Sequence, residues 1–471
     1  MIEGLHLLYP EIVLSGLALL LLGVDLWTPA RHGKVLFHFG WISAAIALIM
    51  LRATPYGADA ALAGAMWVAD PLSLFFKVIV LVTTVIVLLL TLDYPTPSRN
   101  HLGSFAALVL FASVGMMLLV SAVDLLLIFI ALELISISSF ILTGFHRTDL
   151  RSAEGAIKYF LIGAFSSAIM VYGISLFYGA AGTTRLVNLN LETTPLLVFS
   201  LLLLTVGFGF KASVAPFHLW VPDAYEGAPT PVTAYLSIAP KVAAMAVMVR
   251  VFLQLLPTPS LELASLFSFL AMLTMTVGNL TAIFQTNVKR MLAYSSIAQA
   301  GYIMIGFVAG GAKGIEGVLM YSLVYVFMNL GAFAVAIMIG NEESYELDAY
   351  DGLAQRNLAT AMLMAFFLLS LAGIPPLGGF IAKLYVFSAA VEAKLYALAI
   401  VGVVNSVVSV YYYLLIVYHM FFKAARRTQP VQAGLYLTCG LAFAAVGIFV
   451  LGLYPDPFIN TVRASAVMAP R

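Results

Sequence analysis

GFGFKASVAPFHLWVP, residues 207–222, is apolar enough to lie within a membrane and cannot be one straight helix. Pro216 and Pro222 each remove a backbone donor and crowd the preceding turn, so the helix must break or kink there. Non-helical backbone at membrane depth survives only where protein buries it or where it lines a wet cavity. A lysine, Lys211, sits just before the break. Further along, the same pattern returns in LAGIPPLGGFIAK, residues 371–383, where Gly373, Pro375, Pro376, Gly378 and Gly379 precede Lys383.

The surrounding sequence is of one kind. Its 471 residues are 62% hydrophobic and 10% charged, with a net charge of +1. Soluble domains carry about 25% charged residues. The composition predicts an all-α polytopic membrane protein with no sizeable soluble domain and no interest in nucleic acid. A hydrocarbon core about 30 Å thick needs about 20 apolar residues in a helix, and that ruler marks about fourteen spans. The two interrupted stretches fall in the seventh and twelfth. They lie five spans apart, an odd number, so spans 4–8 and 9–13 must have opposite topology. Paired broken helices at corresponding positions point to inverted repeats, here two of five helices each. The chain then divides into residues 1–102 (spans 1–3), 103–256 (first repeat), 257–424 (inverted second repeat) and 425–471 (last span and a short tail). The first apolar run, Leu7 to Trp27, is expected to remain as a spanning helix. Basic residues such as Lys34, Arg147, Arg151, Lys289, Arg290 and Arg426 crowd the loops on one side, which predicts both termini outside.

Three lysines lie deep in apolar runs, Lys211, Lys241 and Lys383, and Glu133 is placed the same way in LLLIFIALELISISSFIL. A charge at the bilayer centre costs roughly 2.5–3.5 kcal/mol even on a lenient scale. Such residues are tolerated when they are partnered or used, and the expectation is an ion or proton path. Glu133 is expected to pair with a lysine, and separating the pair would weaken that lysine's hold on its proton. A quietly hydrogen-bonded carboxylate is the alternative for Glu133. Lys77, Lys158 and Arg250 lie nearer the ends of their spans and are expected to snorkel toward the interface. Lys158 and Glu154 are four apart, the spacing of a local ion pair, and a relay role is open as well. His218 and Tyr412 are candidates to extend a hydrogen-bonded chain, and Gln299, Tyr302, Asn329, Asn405 and Ser409 to line water chains or join helices. The single Cys439 excludes an internal disulfide and cannot hold an iron–sulfur cluster. No phosphate loop, metal-ligand spacing or nucleophile elbow occurs.

At these same residues the chain resembles a known family. FKASVAPFHLWVPDAYEGAPTPVTAYLSIAPKVAAMAV (210–247), NVKRMLAYSSIAQAGYIMIG (287–306) and LDAYDGLAQRNLATAMLMAFFLLSLAGIPPLGGFIAKLYVF (347–387) are similar to the antiporter-like subunits of respiratory complex I, the proton-translocating NADH:quinone oxidoreductase. LELISISSFILTGF (132–145) and SAEGAIKYFLIGAFSSA (152–168) look most like the N-type branch, as does the chain's end soon after the last span. The resemblance covers essentially the whole chain. It implies fourteen helices with broken helices 7 and 12, and a non-redox subunit of a translocase. The family's relay residues fall on Glu133, Lys211, Lys241 and Lys383, with Lys158 and His218 secondary. It implies neighbouring membrane-arm subunits, among them another antiporter-like one, in a bacterial inner membrane. NADH, FMN, iron–sulfur clusters and quinone are expected in other subunits and none on this chain. A cation/proton antiporter subunit and a structural spacer are the competing readings.

Overall fold

The computed structural model describes residues 5–29, 32–54, 56, 66–94, 101–186, 189, 194–255, 261–342, 344–426, 431 and 433–467. Helices account for nearly all of them. In chain order they are α1 (Tyr9–Asp25), α2 (Gly33–Ala53), α3 (Pro71–Leu92), α4 (Leu102–Ser121), α5 (Leu125–Thr143), α6 (Leu150–Ala181), α7 (Pro195–Ala212), α8 (Val221–Gly227) and α9 (Thr230–Leu255). There follow α10 (Leu261–Ile283), α11 (Val288–Ala309), α12 (Gly311–Glu342), α13 (Leu353–Arg356), α14 (Leu358–Ala372), α15 (Gly378–Glu392), α16 (Tyr396–Phe422), α17 (Leu435–Leu453) and α18 (Asp456–Ser465). Thirteen are long and apolar enough to cross a membrane, and the remaining expected crossing is divided between the short helices α14 and α15. This is a multi-pass membrane protein.

Among the described residues, six of the helix starts carry a side-chain cap, which matters where water cannot satisfy free N–H groups. Asp70 and Ser73 form a reciprocal capping box on α3, with Pro71 in its first turn. Asp124, Asp149, Thr194, Asn287 and Asn357 cap α5, α6, α7, α11 and α14 with their side chains.

Two sets of helices repeat one packing plan. α4 packs on α5 and α9 as α10 packs on α11 and α16, and α6 packs on α7 and α8 as α12 packs on α14 and α15. The long members α6 and α12 are 32 residues each. Each set is also closed by its own backbone clasp. Asp124, capping α5, bridges Arg185 beyond α6, and Asn287, capping α11, bridges Glu346 beyond α12. Five crossings separate equivalent helices, so the two clasps lie on opposite faces of the molecule. The two faces are named here after residues that mark them, the Arg290 face and the Asp70 face.

The breaks match in detail. α7 ends at Ser213 and α14 at Gly373, both left-handed, and each terminal N–H returns to carbonyls of the last turn. A cis proline follows in each, Ala215–Pro216 and Pro375–Pro376. α9, α11 and α12 form the buried centre. Helices α1–α3 pack on α4 and α9, and α17 packs on α12 and α3.

Candidate relay across the two repeats

Lys211 lies in the last turn of α7 and is buried. Its ammonium donates to Ser136 Oγ on α5 at 2.9 Å and reaches Tyr159 OH on α6 at 3.5 Å. The break beside it is held by side chains. Trp220 Nε1 donates to Phe210 O at 3.2 Å and its ring stacks on Tyr159 with centroids 3.8 Å apart. The Ala215 N–H donates to Thr274 Oγ1 at 3.0 Å. The irregular backbone is therefore satisfied by protein, as an apolar surrounding requires.

Glu133 is half-buried rather than fully enclosed. Its carboxylate accepts from Ser167 Oγ on α6 at 2.5 Å. The expected direct ion pair with a lysine does not form. Glu133 and Lys211 instead line one small cavity of about 10 Å³ with Ser136, Ser166, Ser167 and Met170. That volume is room for about one water. The reason is positional: Ser136, three residues after Glu133 on α5, reaches the ammonium first.

Lys241 follows Pro240 inside α9. A proline there leaves the carbonyl four residues earlier without its helical donor, and Tyr225 OH donates to that carbonyl, Leu236 O, at 3.0 Å. Tyr325 OH donates to the next one, Ser237 O, at 3.0 Å. Lys241 Nζ donates to Ser296 Oγ on α11 at 2.7 Å and sits 5.5 Å from the centre of the Tyr225 ring. Lys383 on α15 reaches back to the break, donating to Ala372 O and to Ser406 Oγ on α16, each at 2.7 Å. Its ammonium is 4.8 Å from the centre of the Tyr302 ring.

Between Lys241 and Lys383 runs a buried polar network. Ser295, next to Ser296 on α11, meets Tyr413 OH at 2.5 Å, and Gln299 Nε2 donates to Tyr413 OH at 3.2 Å. Tyr321 donates to Gln299 Oε1. Asn279 Nδ2 donates to Tyr302 OH and Asn405 Oδ1, while Tyr412 OH donates to Asn279 Oδ1 at 3.0 Å. Tyr412 thus joins the network beside Lys383. Asn329 lies nearer Lys241, donating to Ser237 Oγ at 2.6 Å.

Two expected members stand apart. His218 sits within the first break, and its buried Nδ1 has no hydrogen-bond partner among the described residues. Lys158 is not in the buried row; it is half-exposed at the Arg290 face, paired with Glu154 at 2.6 Å and Asp223 at 2.7 Å. Arg290 completes that cluster, with Asp223 at 2.8 Å and Glu226 at 2.7 Å. Glu154, Asp223, Glu226 and Arg290 line a cavity of about 230 Å³ with Arg151 and Gly227, and Lys158 lies beside it through its pairs with Glu154 and Asp223. Burial alone would push the Asp223 carboxyl up, but hydrogen bonds from Lys158 and Arg290 outweigh it and hold the group below the usual carboxylate range.

The expectation that Lys77 and Arg250 snorkel is overturned. Both are fully buried, Lys77 against Glu11 at 2.7 Å and Arg250 against Asp70 at 2.8 Å. Snorkelling answers a charge that lacks a partner, and here α1 and α3 bring the partners inside. Lys289, expected among the basic residues of that side, stands in the first turn of α11 rather than in a loop. It is buried, and its ammonium donates to Glu226 O and Ala228 O at the end of α8. The favourable meeting of a cation with a helix C-terminus explains the position. The tandem Lys289–Arg290 looked like an ordinary basic loop edge, and only the repeat of carboxylates in α8, Asp223 and Glu226, hinted otherwise.

Two inverted sets of helices, each with a broken member, joined by a buried row of lysines, define a membrane protein of the antiporter type. Residues 122–409 match the family described as NADH:quinone oxidoreductase/Mrp antiporter, TM, and the chain belongs to it. A relative named NADH-quinone oxidoreductase subunit N, from Trichlorobacter lovleyi, is 41% identical over 97% of this chain and 96% of its own length. A chain in the structure of respiratory complex I from Thermus thermophilus with bound aureothin superposes with a TM-score of 0.84, at 32% identity, covering 97% of this chain and 99% of that one. A chain of the Mrp complex from Dietzia shares the fold, with a TM-score of 0.87 at 21% identity, covering 99% of this chain and 97% of its own.

Proposed function

We propose that the chain is an N-type membrane-arm subunit of a bacterial proton-translocating NADH:quinone oxidoreductase, and that Lys211, Lys241 and Lys383 carry the protons. What supports the relay is that each buried ammonium is held by a serine hydroxyl from a neighbouring helix, Ser136, Ser296 and Ser406, with buried hydroxyls and amides lying between the last two. Hydroxyls and amides can both accept and donate, so they can hand a proton on without becoming charged.

Protons enter at the Arg290 face, through the Asp223 cavity beside Lys158, and reside on Lys211. They pass by Lys241 to Lys383 and leave on the Asp70 face. The density of lysines and arginines makes the Arg290 face the cytoplasmic one, with both termini outside in the inner membrane. Glu133 acts at a distance on Lys211 across their shared cavity. At about 6 Å, beyond direct contact, and an effective dielectric of about 20, two unit charges interact by about 3 kcal/mol. That is comparable to moving one charge against roughly 120 mV. A change in the Glu133–Lys211 separation is thus a sufficient drive. His218 adjusts the field at the break, and Tyr412 orients the amide of Asn279. The redox groups, NADH, FMN, iron–sulfur clusters and quinone, belong to other subunits, and the chain's partners are its membrane-arm neighbours, one of them antiporter-like.

The test is NADH-driven proton uptake in inverted membrane vesicles carrying Lys211→Ala or Glu133→Ala. Uptake is expected to fall sharply with the subunit present at full stoichiometry. Near-normal uptake would sink the relay. Sodium- or potassium-dependent proton exchange without NADH would favour a cation antiporter instead.

A further inference from the structure

Protons that reach Lys241 from the Arg290 face must turn along the membrane, and something must stop them from continuing straight to the Asp70 face. We propose that the Arg250–Asp70 pair, with the apolar segment of α9 leading to it, is the proton seal that closes the first repeat on the Asp70 face. The inference rests on the relay proposed above.

The geometry is specific. Beyond Lys241, α9 presents Val242, Ala243, Ala244, Met245, Ala246, Val247, Met248 and Val249, all buried and none able to carry a proton. Arg250 comes next, wholly enclosed. Its two terminal nitrogens donate to the two oxygens of Asp70 at 2.8 Å each. Its Nε and one terminal nitrogen also donate to Val120 O, at 3.3 and 3.1 Å, at the end of α4. Asp70 Oδ1 accepts in addition from the Ser73 N–H at 2.9 Å. Guanidinium does not release its proton in proteins, and an Asp70 carboxylate engaged on both oxygens takes one up only by breaking the bidentate pair. Arg250 and Asp70 are both committed to fixed partners, unlike the hydroxyls and amides between Lys241 and Lys383. An enclosed arginine is also a recognised electrostatic barrier to protons in pores.

The inverted repeat carries a counterpart. The corresponding end of the second repeat lies on the Arg290 face, at the C-terminus of α16. There His419 Nδ1 meets Asp351 Oδ1 at 2.6 Å, and Arg426 Nε meets Asp351 Oδ2 at 3.0 Å. Each repeat is thus shut at its blind end by a buried carboxylate tied to a cation from the last turns, or just beyond the end, of its fifth crossing.

A structural staple would look similar, and removing the pair as a pair separates the two roles. Replacing both partners of a buried ion pair by neutral groups of similar size is often neutral or stabilising, and asparagine retains the cap on α3. The complete complex carrying Arg250→Met with Asp70→Asn is reconstituted in liposomes with a pH dye inside. An external pH step is applied without NADH, with potassium and valinomycin clamping the potential. The expected result is severalfold faster internal acidification than wild type, with the subunit at full stoichiometry. Wild-type acidification in the assembled double variant overturns the proposal. If the double variant does not assemble, Arg250→Lys and Arg250→Gln are compared: a tight lysine variant and a leaky glutamine variant support the seal, and equal rates overturn it. Because the leak is read without turnover, its outcome is independent of the Lys211 pumping test.

Discussion

Each buried ammonium in the relay has a hydroxyl beside it, and Ser296 is the one that faces Lys241. A hydrogen bond to a charged group contributes about 1.5–3 kcal/mol. Ser296→Ala is therefore expected to slow NADH-driven proton uptake by roughly tenfold or more, with unchanged amounts of the subunit in the membrane. Uptake at the wild-type rate would show that Lys241 works without that contact. At this scale the sequence revealed charges but not partners. Lys211, Lys241 and Lys383 stand out because an ammonium among apolar residues is conspicuous in one dimension. Lys77 and Arg250 stand out equally, yet their carboxylates, Glu11 and Asp70, are far away along the chain and are joined to them only by folding. Glu133 was legible as a carboxylate in a span. The serine that intercepts Lys211 was not, because serine is commonplace in membrane helices.

The broken helices are where element-level rules and function meet. Pro240 leaves Leu236 O without its helical donor, and Tyr225 supplies a replacement from α8 across a tight turn. Tyr225→Phe would leave that buried carbonyl without this donor. The expected cost is about 1–3 kcal/mol, seen as a lower thermal midpoint of the detergent-solubilised complex. An unchanged midpoint would mean that Leu236 O does not need the tyrosine. In the second break, Gly373 has φ +87° and Gly379 lies so close to α14 that a Cβ would overlap Ser370 O. Both are glycines because nothing larger fits there. These interruptions were readable as strings of proline and glycine, and so was their spacing of five crossings. The way each break is satisfied was not, because Trp220, Thr274 and Tyr225 act through space rather than through any local motif.

For the whole molecule, direction in the membrane has a clean readout. In a Cys439→Ser background, Arg151→Cys at the charged mouth should react with a membrane-impermeant maleimide in inverted vesicles and not in intact cells. Labelling in cells alone would turn the molecule over and reverse the proposed route. The fold class was legible because composition and a 20-residue ruler suffice for it. The repeat was legible only as two breaks, since the halves share little at the level of residues. Its stronger signature is the pair of backbone clasps, Asp124 with Arg185 and Asn287 with Glu346. Those clasps bear on ancestry. A contact made by backbone atoms does not depend on which side chains are present, so matching clasps are what a doubled five-helix unit would leave behind after its side chains had diverged. A five-helix unit able to insert either way up would, once doubled and fused, present one entrance to each side of the membrane without any new part being invented.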